Sequence, residues 1–330
     1  MRRLCGKILL FLTGLGLLLF PLCTWSLHAD KAALASSAFK MGPEITLVSA
    51  GDSHTQSALN PDLLPGAVNI SRSAESYFFT YYKLKYFLQC NPQVTAVLLG
   101  YSPHNIMNHD LSFQRDRTNH LKDYIRIIDS PTRRSLAAFR LSYVVSYLQA
   151  EYGVPFRLFQ NPIFVKYLLG RHKFSRADFP FNASYQGLSG TFIDPDKVAR
   201  RGKGHFLENG RYAATSPFMV GYLKKIAELC SQRGIALVLV DTPVTSAYHG
   251  LIPAAALSDN RLILSELMRE YPSVTYCDLS TLNLPSKDYY DGNHVNSSGA
   301  KVVSAIILKR YGSTVFKHKS IEEGAPSVIK

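Results

Sequence analysis

Three polar side chains in two short motifs have the chemistry of a nucleophilic catalyst. Ser53 lies in the sequence Gly-Asp-Ser-His-Thr, and Asp291 lies three residues before His294 in Asp-Gly-Asn-His. A serine hydroxyl is a weak nucleophile, so it needs a base within hydrogen-bond distance and a group that orients that base. The Asp-x-x-His spacing lets a carboxylate reach the second nitrogen of the imidazole. The two motifs therefore predict acyl transfer through a triad of Ser53, His294 and Asp291.

Each of these residues also has an ordinary structural role as an alternative. A serine after a strand often serves as a helix N-cap, and Asp291 and His294 could be surface residues of a turn. Placement favours catalysis, because Ser53 directly follows a predicted strand and His294 precedes the last predicted helix. The chain has no Gly-x-Ser-x-Gly pentapeptide, so the chemistry does not use the nucleophile elbow of α/β-hydrolases.

Apolar runs and helical segments alternate on both sides of a long central stretch. Short apolar runs bounded by turn residues indicate strands, and longer periodic segments indicate helices. The predicted strands are residues 44–50, 67–70, 94–99, 235–240 and 274–277, and the predicted helices are residues 77–89, 217–233, 258–270 and 297–310. This alternation predicts an α/β fold: a flavodoxin-like, three-layer, doubly wound parallel sheet with helices on both faces.

The alternation fades at about residues 104–215, which we interpret as an insertion in a core domain that spans residues 31–330. The segment from 103 to 215 contains 17 Lys and Arg against 9 Asp and Glu. Insertions between core strands commonly shape the substrate side of such folds, because loops at the sheet ends build the site. We therefore expect basic residues of the insertion to hold an anionic substrate.

Residues 1–30 have the features of a membrane anchor or an export signal. A basic flank precedes an uncharged stretch at residues 8–27, which is about the length that crosses a bilayer as a helix. The basic flank predicts that the N-terminus stays in the cytoplasm, so the residues after Asp30 are expected outside it. A cleaved signal peptide ending at Ala29 is the alternative, although Leu27 is a poor residue at the third position before such a cut.

The formal net charge of +13 predicts an anionic neighbour, such as an acidic polysaccharide or phospholipid head groups. The alternative is a basic surface without a specific partner. Nucleic acid is disfavoured as a partner by the export signal. His104 and His109 lack a supporting carboxylate cluster in the sequence, and the cysteines beyond the anchor have no paired spacing, so no metal or cofactor is expected.

The two motifs resemble those of the SGNH, or GDSL-like, hydrolase superfamily. Its members carry a Gly-Asp-Ser block after the first strand and an Asp-x-x-His block before the final helix. Ser53, Asp291 and His294 match these blocks residue by residue. The resemblance covers about residues 44–105 and 216–311, and it does not include the insertion.

The resemblance also implies an oxyanion hole. In the second block of the family a glycine supplies a backbone N–H, and Ala74 occupies the equivalent position here. In the third block the family has Gly-x-Asn, whereas this chain has Gly-Tyr-Ser-Pro-His-Asn. Ser102 therefore stands at the asparagine position, and Asn105 follows three residues later. Ala74, Ser102 and Asn105 are the expected oxyanion residues.

The stretches at residues 57–61 and 64–70 resemble membrane-anchored branches of the superfamily that act in cell-envelope polymer acylation, including exported proteins of alginate O-acetylation and teichoic-acid D-alanylation. The resemblance implies an exported esterase or O-acyltransferase that forms an acyl-enzyme. Its expected partners are an anionic polysaccharide or teichoic-type polymer and a membrane O-acyltransferase. Two alternatives stay open: a plain exported esterase for small or lipid esters, and a non-catalytic accessory that binds a polymer or the acyltransferase.

Overall fold

The computed structural model describes residues 2–34, 39–107, 120–139, 141–152 and 184–315. The chain divides into two compact units. The first is formed by Met1–Met41 and Asn119–Phe181, and the second by Gly42–Thr118 and Asn182–Lys330. Part of the predicted insertion, namely residues 108–119, 140 and 153–183, lies outside the described residues.

The described residues form α-helices, strands and short 3-10 helices. The α-helices are α1 (Arg2–Leu34), α2 (Ser53–Ala58), α3 (Tyr77–Cys90), α4 (His120–Tyr124), α5 (Ser130–Phe139), α6 (Leu141–Tyr152), α7 (Pro195–Phe206), α8 (Pro217–Gln232), α9 (Ser246–His249), α10 (Ala254–Glu270) and α11 (Ser297–Val315). The strands are β1 (Leu47–Ala50), β2 (Ala67–Asn69), β3 (Ala96–Gly100), β4 (Leu207–Glu208), β5 (Arg211–Tyr212), β6 (Ala236–Asp241) and β7 (Val274–Asp278). The 3-10 helices are Pro61–Leu63, Pro103–Ile106 and Ser286–Asp288.

The first unit contains the long helix α1 and the helices α4 to α6. Within α1, the segment Cys5–Trp25 has 21 residues and a mean hydropathy of 2.1, and none of it is buried. These are the length and composition of a membrane-crossing helix, and equally those of the core of a signal sequence. The predicted apolar N-terminal helix is confirmed, whereas its retention as an anchor and the side on which the rest of the chain lies stay predictions.

The central sheet of the second unit has five parallel strands in the order β2-β1-β3-β6-β7. Leu47 pairs with Ala67 on one side and with Ala96 on the other, so β1 lies between β2 and β3. Strands β1 and β3 are buried along their whole length, which explains why their sequences form largely apolar runs rather than an alternating pattern. The predicted α/β class with a parallel sheet is confirmed.

Helices flank the sheet in two groups. Helix α8 packs against α3 and α10, whereas α2 packs against α11. The four predicted helices are confirmed, and the largest differences are that α10 begins at Ala254 rather than 258 and that α11 ends at Val315 rather than 310. The alanines at 254–256 are strong helix formers, but a prediction based on hydrophobic periodicity does not detect them.

Two glycines bring α2 close to the ends of β1 and β3. A Cβ atom added to Gly51 would lie 2.6 Å from Thr55 Oγ1, and one added to Gly100 would lie 2.0 Å from the same atom. Gly51 also has a φ angle of 145°, which residues with a side chain rarely adopt. The tight turn after β1 therefore carries Ser53 to the carboxyl end of the sheet, beside the point where the strand order reverses.

Candidate active site

The structure brings Ser53, His294 and Asp291 together at the carboxyl end of the sheet. Ser53 is the first residue of α2, directly after the turn that follows β1. Its Oγ atom lies 2.9 Å from Nε2 of His294, and Nδ1 of His294 lies 2.9 Å from Oδ1 and 3.1 Å from Oδ2 of Asp291. These distances fit a nucleophile, a base and a carboxylate that orients the base.

The loop before α11 holds Asp291 through its own backbone. The N–H groups of Asn293 and His294 donate to Asp291 Oδ1 at 3.0 and 2.9 Å. The N–H and the hydroxyl of Thr245 donate to the carbonyl of Gly292 at 3.0 and 2.7 Å, which ties the loop to the segment after β6. The loop geometry is therefore set before any substrate binds.

The ionisation of Asp291 determines the tautomer of His294. Burial alone would raise the pKa of Asp291, but the hydrogen bond and the charge of His294, together with the two backbone donors, lower it to about 2. The ionised carboxylate accepts a hydrogen bond from Nδ1 of His294, so this nitrogen carries the proton of the neutral ring. The lone pair of Nε2 then faces the hydroxyl of Ser53, as a general base requires.

A second aspartate–histidine pair lies beside the first. Asp52 caps α2, because its Oδ1 accepts the N–H of His54 at 3.0 Å. Its Oδ2 accepts hydrogen bonds from Nε2 of His104 at 2.7 Å and from Nδ2 of Asn105 at 2.8 Å. Burial alone would raise the pKa of Asp52, but the imidazoles of His54 and His104 and the bond from Asn105 hold it well below its usual value. Asp52 is thus a buried carboxylate surrounded by donors.

His54 connects the two pairs. Its Nε2 accepts a hydrogen bond from Nδ2 of Asn293 at 2.8 Å. Its ring centroid lies 4.4 Å from that of His104 and 4.9 Å from that of His294. Burial lowers the pKa of His54 well below its usual value, and repulsion from His104 adds to the effect. An uncharged imidazole therefore joins the turn after β1 to the loop before α11.

Two of the three expected oxyanion residues line the cavity at the triad. Ala74 has a φ angle of 57°, a left-handed conformation that favours glycine, which fits a position where the resembling family has glycine. Neither the N–H of Ala74 nor that of Ser53 has an acceptor among the described residues. Asn105 also lines the cavity, and its amide nitrogen carries a second N–H beyond the one donated to Asp52.

Ser102, the third expected oxyanion residue, does not line this cavity. Its N–H donates to Oδ1 of Asn105 at 2.8 Å, and its hydroxyl donates to Asp241 at the end of β6. Both donors of Ser102 are therefore engaged elsewhere. Burial raises the pKa of Asp241 to about 8; the hydrogen bond from Ser102 opposes this shift, and the charge of Asp278 adds to it. Asp241 accordingly keeps its proton at neutral pH.

A cavity of about 590 Å³ opens onto the triad. Its volume is in the range of small-molecule sites. Besides the triad, Ala74 and Asn105, its walls include the apolar side chains of Met107, Leu188 and Met219 and three residues of α7, namely Arg201, Gly204 and His205. The cavity thus combines an apolar portion with a single wall that carries a guanidinium group.

Asp52, His54 and His104 also have the donor types of a metal site. One ligand-type atom from each lies within 4.8 Å of the others, and all three side chains are buried. A carboxylate with two imidazoles is a common set for a divalent cation. Here Asp52 and His104 already bind each other through a hydrogen bond of 2.7 Å, whereas Nδ1 of His54 has no hydrogen-bond partner among the described residues.

Sequence reasoning missed the residues that surround the triad. His104 was expected to be an ordinary polar residue, yet it binds Asp52, which is 52 positions earlier in the chain. Asn293 has no role in the predicted triad, yet its side chain reaches His54. Neither contact has a signature in local spacing. The one available signal was that Asp52 and His54 flank Ser53 within the same motif.

No protein-family model matches the chain, and no curated protein matches it in sequence.

Proposed function

We propose that this chain is a serine-dependent acyl-transfer enzyme of the SGNH hydrolase type, with Ser53 as its nucleophile. The observation that carries the proposal is the 2.9 Å separation between Ser53 Oγ and His294 Nε2, with Asp291 on the opposite ring nitrogen. The parallel sheet, whose strands lie in the order 2-1-3-4-5 when counted within it, supports a flavodoxin-like, doubly wound core with its site at the strand ends.

The first half of the reaction forms an acyl-enzyme. His294 Nε2 takes the proton of Ser53 as Oγ attacks the ester carbonyl, and the carbonyl oxygen becomes an oxyanion. The N–H groups of Ser53 and Ala74 and the amide of Asn105 stabilise this charge. When the tetrahedral intermediate collapses, the bond to the alcohol oxygen breaks, and His294 gives that oxygen the proton. Asp291 stabilises the imidazolium throughout.

The second half transfers the acyl group to a hydroxyl. Water or an acceptor alcohol approaches the acyl-enzyme, and His294 takes its proton as its oxygen attacks the acyl carbon. Collapse breaks the bond to Ser53 Oγ, which recovers a proton from His294. Water as acceptor gives an esterase, and a sugar or polymer hydroxyl gives an O-acyltransferase.

The setting that fits this chemistry is the cell envelope. In the proposal, α1 anchors the chain in the membrane and the unit that carries Ser53 lies outside the cytoplasm. The acceptor is an extracellular or envelope polymer of the polysaccharide or teichoic type, and a membrane O-acyltransferase supplies or receives the acyl group. The apolar segment Cys5–Trp25 and the net charge of +13 support this setting.

Labelling with a fluorophosphonate tests the nucleophile. We expect the full-length chain, purified in detergent, to react at Ser53, and the Ser53→Ala variant to show no label. Ser57→Ala is the matched control, because Ser57 lies on the same helix and its hydroxyl donates to the carbonyls of Ser53 and His54. Equal labelling of wild type and Ser53→Ala, in protein with the same circular dichroism spectrum, would contradict the proposal and favour the non-catalytic accessory.

A second assay separates transfer from hydrolysis. Phenyl acetate is supplied as acyl donor with and without alginate or lipoteichoic acid as acceptor. We expect acetylated polymer in addition to free acetate. Free acetate alone, at a rate that no polymer changes, would indicate a plain esterase.

A further inference from the structure

Helix α7 turns one face toward the cavity and buries another. Arg201, Gly204 and His205, spaced three and four residues apart, line the cavity. Val198, Gly202 and Phe206 of the same helix are buried. The helix thus has one buried face and one face that lines the cavity.

Close packing fixes α7 against the loop before α11. A Cβ atom added to Gly292 would lie 2.4 Å from a methyl carbon of Val198, and one added to Gly202 would lie 2.8 Å from Leu251 Cδ1. The ring of His205 stacks on that of His104 at 4.9 Å and 17°. The backbone that carries Arg201 therefore has a fixed position relative to Asp291 and to the Asp52–His104 pair.

The charges that line the cavity are unequally compensated. Its three acids each have a basic partner: Asp52 binds His104, Asp291 binds His294, and Glu75 forms an ion pair with Lys83. Arg201 is exposed and is the one lysine or arginine among the described residues that line the cavity. No acidic side chain in the described part of the chain forms a salt bridge with it.

We propose that Arg201 selects ester substrates that carry a carboxylate or phosphate group near the reacting bond. The inference rests on the proposed function and adds the residue and the chemistry that decide specificity. A guanidinium presents paired N–H donors that match both anions. Lys197, Arg200 and Lys203 lie on the same helix outside the cavity lining.

The test compares three acetyl esters that differ in one substituent: phenyl acetate, 4-acetoxybenzoate and 4-acetoxyphenyl phosphate. The preference is the kcat/KM of a charged ester divided by that of phenyl acetate, measured with the full-length chain in detergent. We expect Arg201→Gln to lower this preference about tenfold, mainly through KM. Arg200→Gln removes the same charge one residue away and is expected to leave the preference unchanged. The anion with the larger loss is the group that Arg201 recognises.

Two outcomes would overturn the inference: a wild-type chain that does not prefer the charged esters, or equal losses in Arg201→Gln and Arg200→Gln. Equal losses would show a general positive field rather than recognition by one residue. Binding of 4-acetoxybenzoate to Ser53→Ala, measured by calorimetry with and without Arg201→Gln, tests the same contact without turnover. Absence of phenyl acetate hydrolysis would therefore count against the proposed function, while the binding data would still decide the role of Arg201.

Discussion

Two aspartate–histidine pairs lie side by side at the carboxyl end of the sheet, and they use opposite ring nitrogens. Asp291 and His294 both lie in the loop before α11, whereas Asp52 in the turn after β1 pairs with His104 of the 3-10 helix Pro103–Ile106. Asp291 accepts from Nδ1 of His294, which leaves Nε2 at 2.9 Å from Ser53 Oγ. Asp52 instead accepts from Nε2 of His104, and Asn105 donates to the same carboxylate oxygen. In the proposed mechanism, identical residue types thus form a base in one region and a rigid support in the other.

In the proposed mechanism, the free ring nitrogen, rather than the pairing itself, distinguishes the histidine that acts as the base. Asp52 is also more completely enclosed than Asp291: its side chain is 9% exposed, against 24% for Asp291. A buried carboxylate is held by the hydrogen-bond donors around it, and removing a donor leaves a buried charge unsatisfied. Loss of the Asp291–His294 pair should therefore reduce the reaction rate, and loss of the Asp52–His104 pair should reduce stability.

Exchanging each histidine for glutamine gives the largest expected contrast. His294→Gln removes the base that accepts the Ser53 proton, so kcat/KM for phenyl acetate should fall on the order of 10⁵-fold. His104→Gln keeps an N–H donor for Asp52, so its kcat/KM should stay within about tenfold of wild type. Steady-state kinetics on both variants measures the contrast. Comparable losses in the two variants would show that both pairs take part in the chemistry.

Exchanging each aspartate for asparagine sharpens the same distinction. Asp291→Asn disturbs the tautomer of His294, so kcat should fall roughly 10³- to 10⁴-fold. Asp52→Asn keeps an acceptor for the N–H of His54 but removes a buried negative charge, so it should lower stability by about 3 kcal/mol. Kinetics and urea unfolding of both variants distinguish the two effects. An Asp52→Asn variant of wild-type stability would remove the structural role that we assign to this pair.

Asp241 gives the most specific test, because this buried carboxylate forms no salt bridge among the described residues. Its pKa is raised to about 8, so between about pH 4 and pH 8 the folded chain holds a proton that the unfolded chain has lost. This contribution to stability is full below that window and is lost as the pH rises through it. For Asp52, whose pKa is lowered, stability is present above about pH 4 and is lost on acidification.

The melting temperature of Asp241→Asn, relative to wild type, should therefore increase as the pH rises from about 4 to about 8. The deficit of Asp52→Asn should shrink as the pH falls. Thermal unfolding from about pH 2 to about pH 8 measures both slopes, because the contribution of Asp52 changes only below about pH 4. Parallel slopes for the two variants would mean that burial, rather than the presence of a partner, sets the ionisation of these carboxylates.

The sequence was sufficient to predict the parallel sheet and the grouping of Ser53, Asp291 and His294, because both leave local signals. Strands β1 and β3 are buried runs, and Asp291 lies three residues from the histidine that it orients. The environment of the triad depends on tertiary contacts between distant segments, and His104 with Asp52 is one such contact. Ser102 lies at the expected position in the chain, but packing directs its hydroxyl to Asp241. The role proposed for Arg201 likewise follows from the packing of α7, which the sequence pattern did not predict.

Gly204 gives the cavity wall a position at which volume can be added. The residue lines the cavity, and a Cβ atom added to it would have no other atom within 4 Å. At Gly51 and Gly100 the same atom would collide with Thr55 Oγ1. Laboratory evolution toward smaller esters can therefore proceed through residue 204, where alanine also favours the helix by about 1 kcal/mol. The turn that carries Ser53 would keep its geometry while the size limit of the substrate changed.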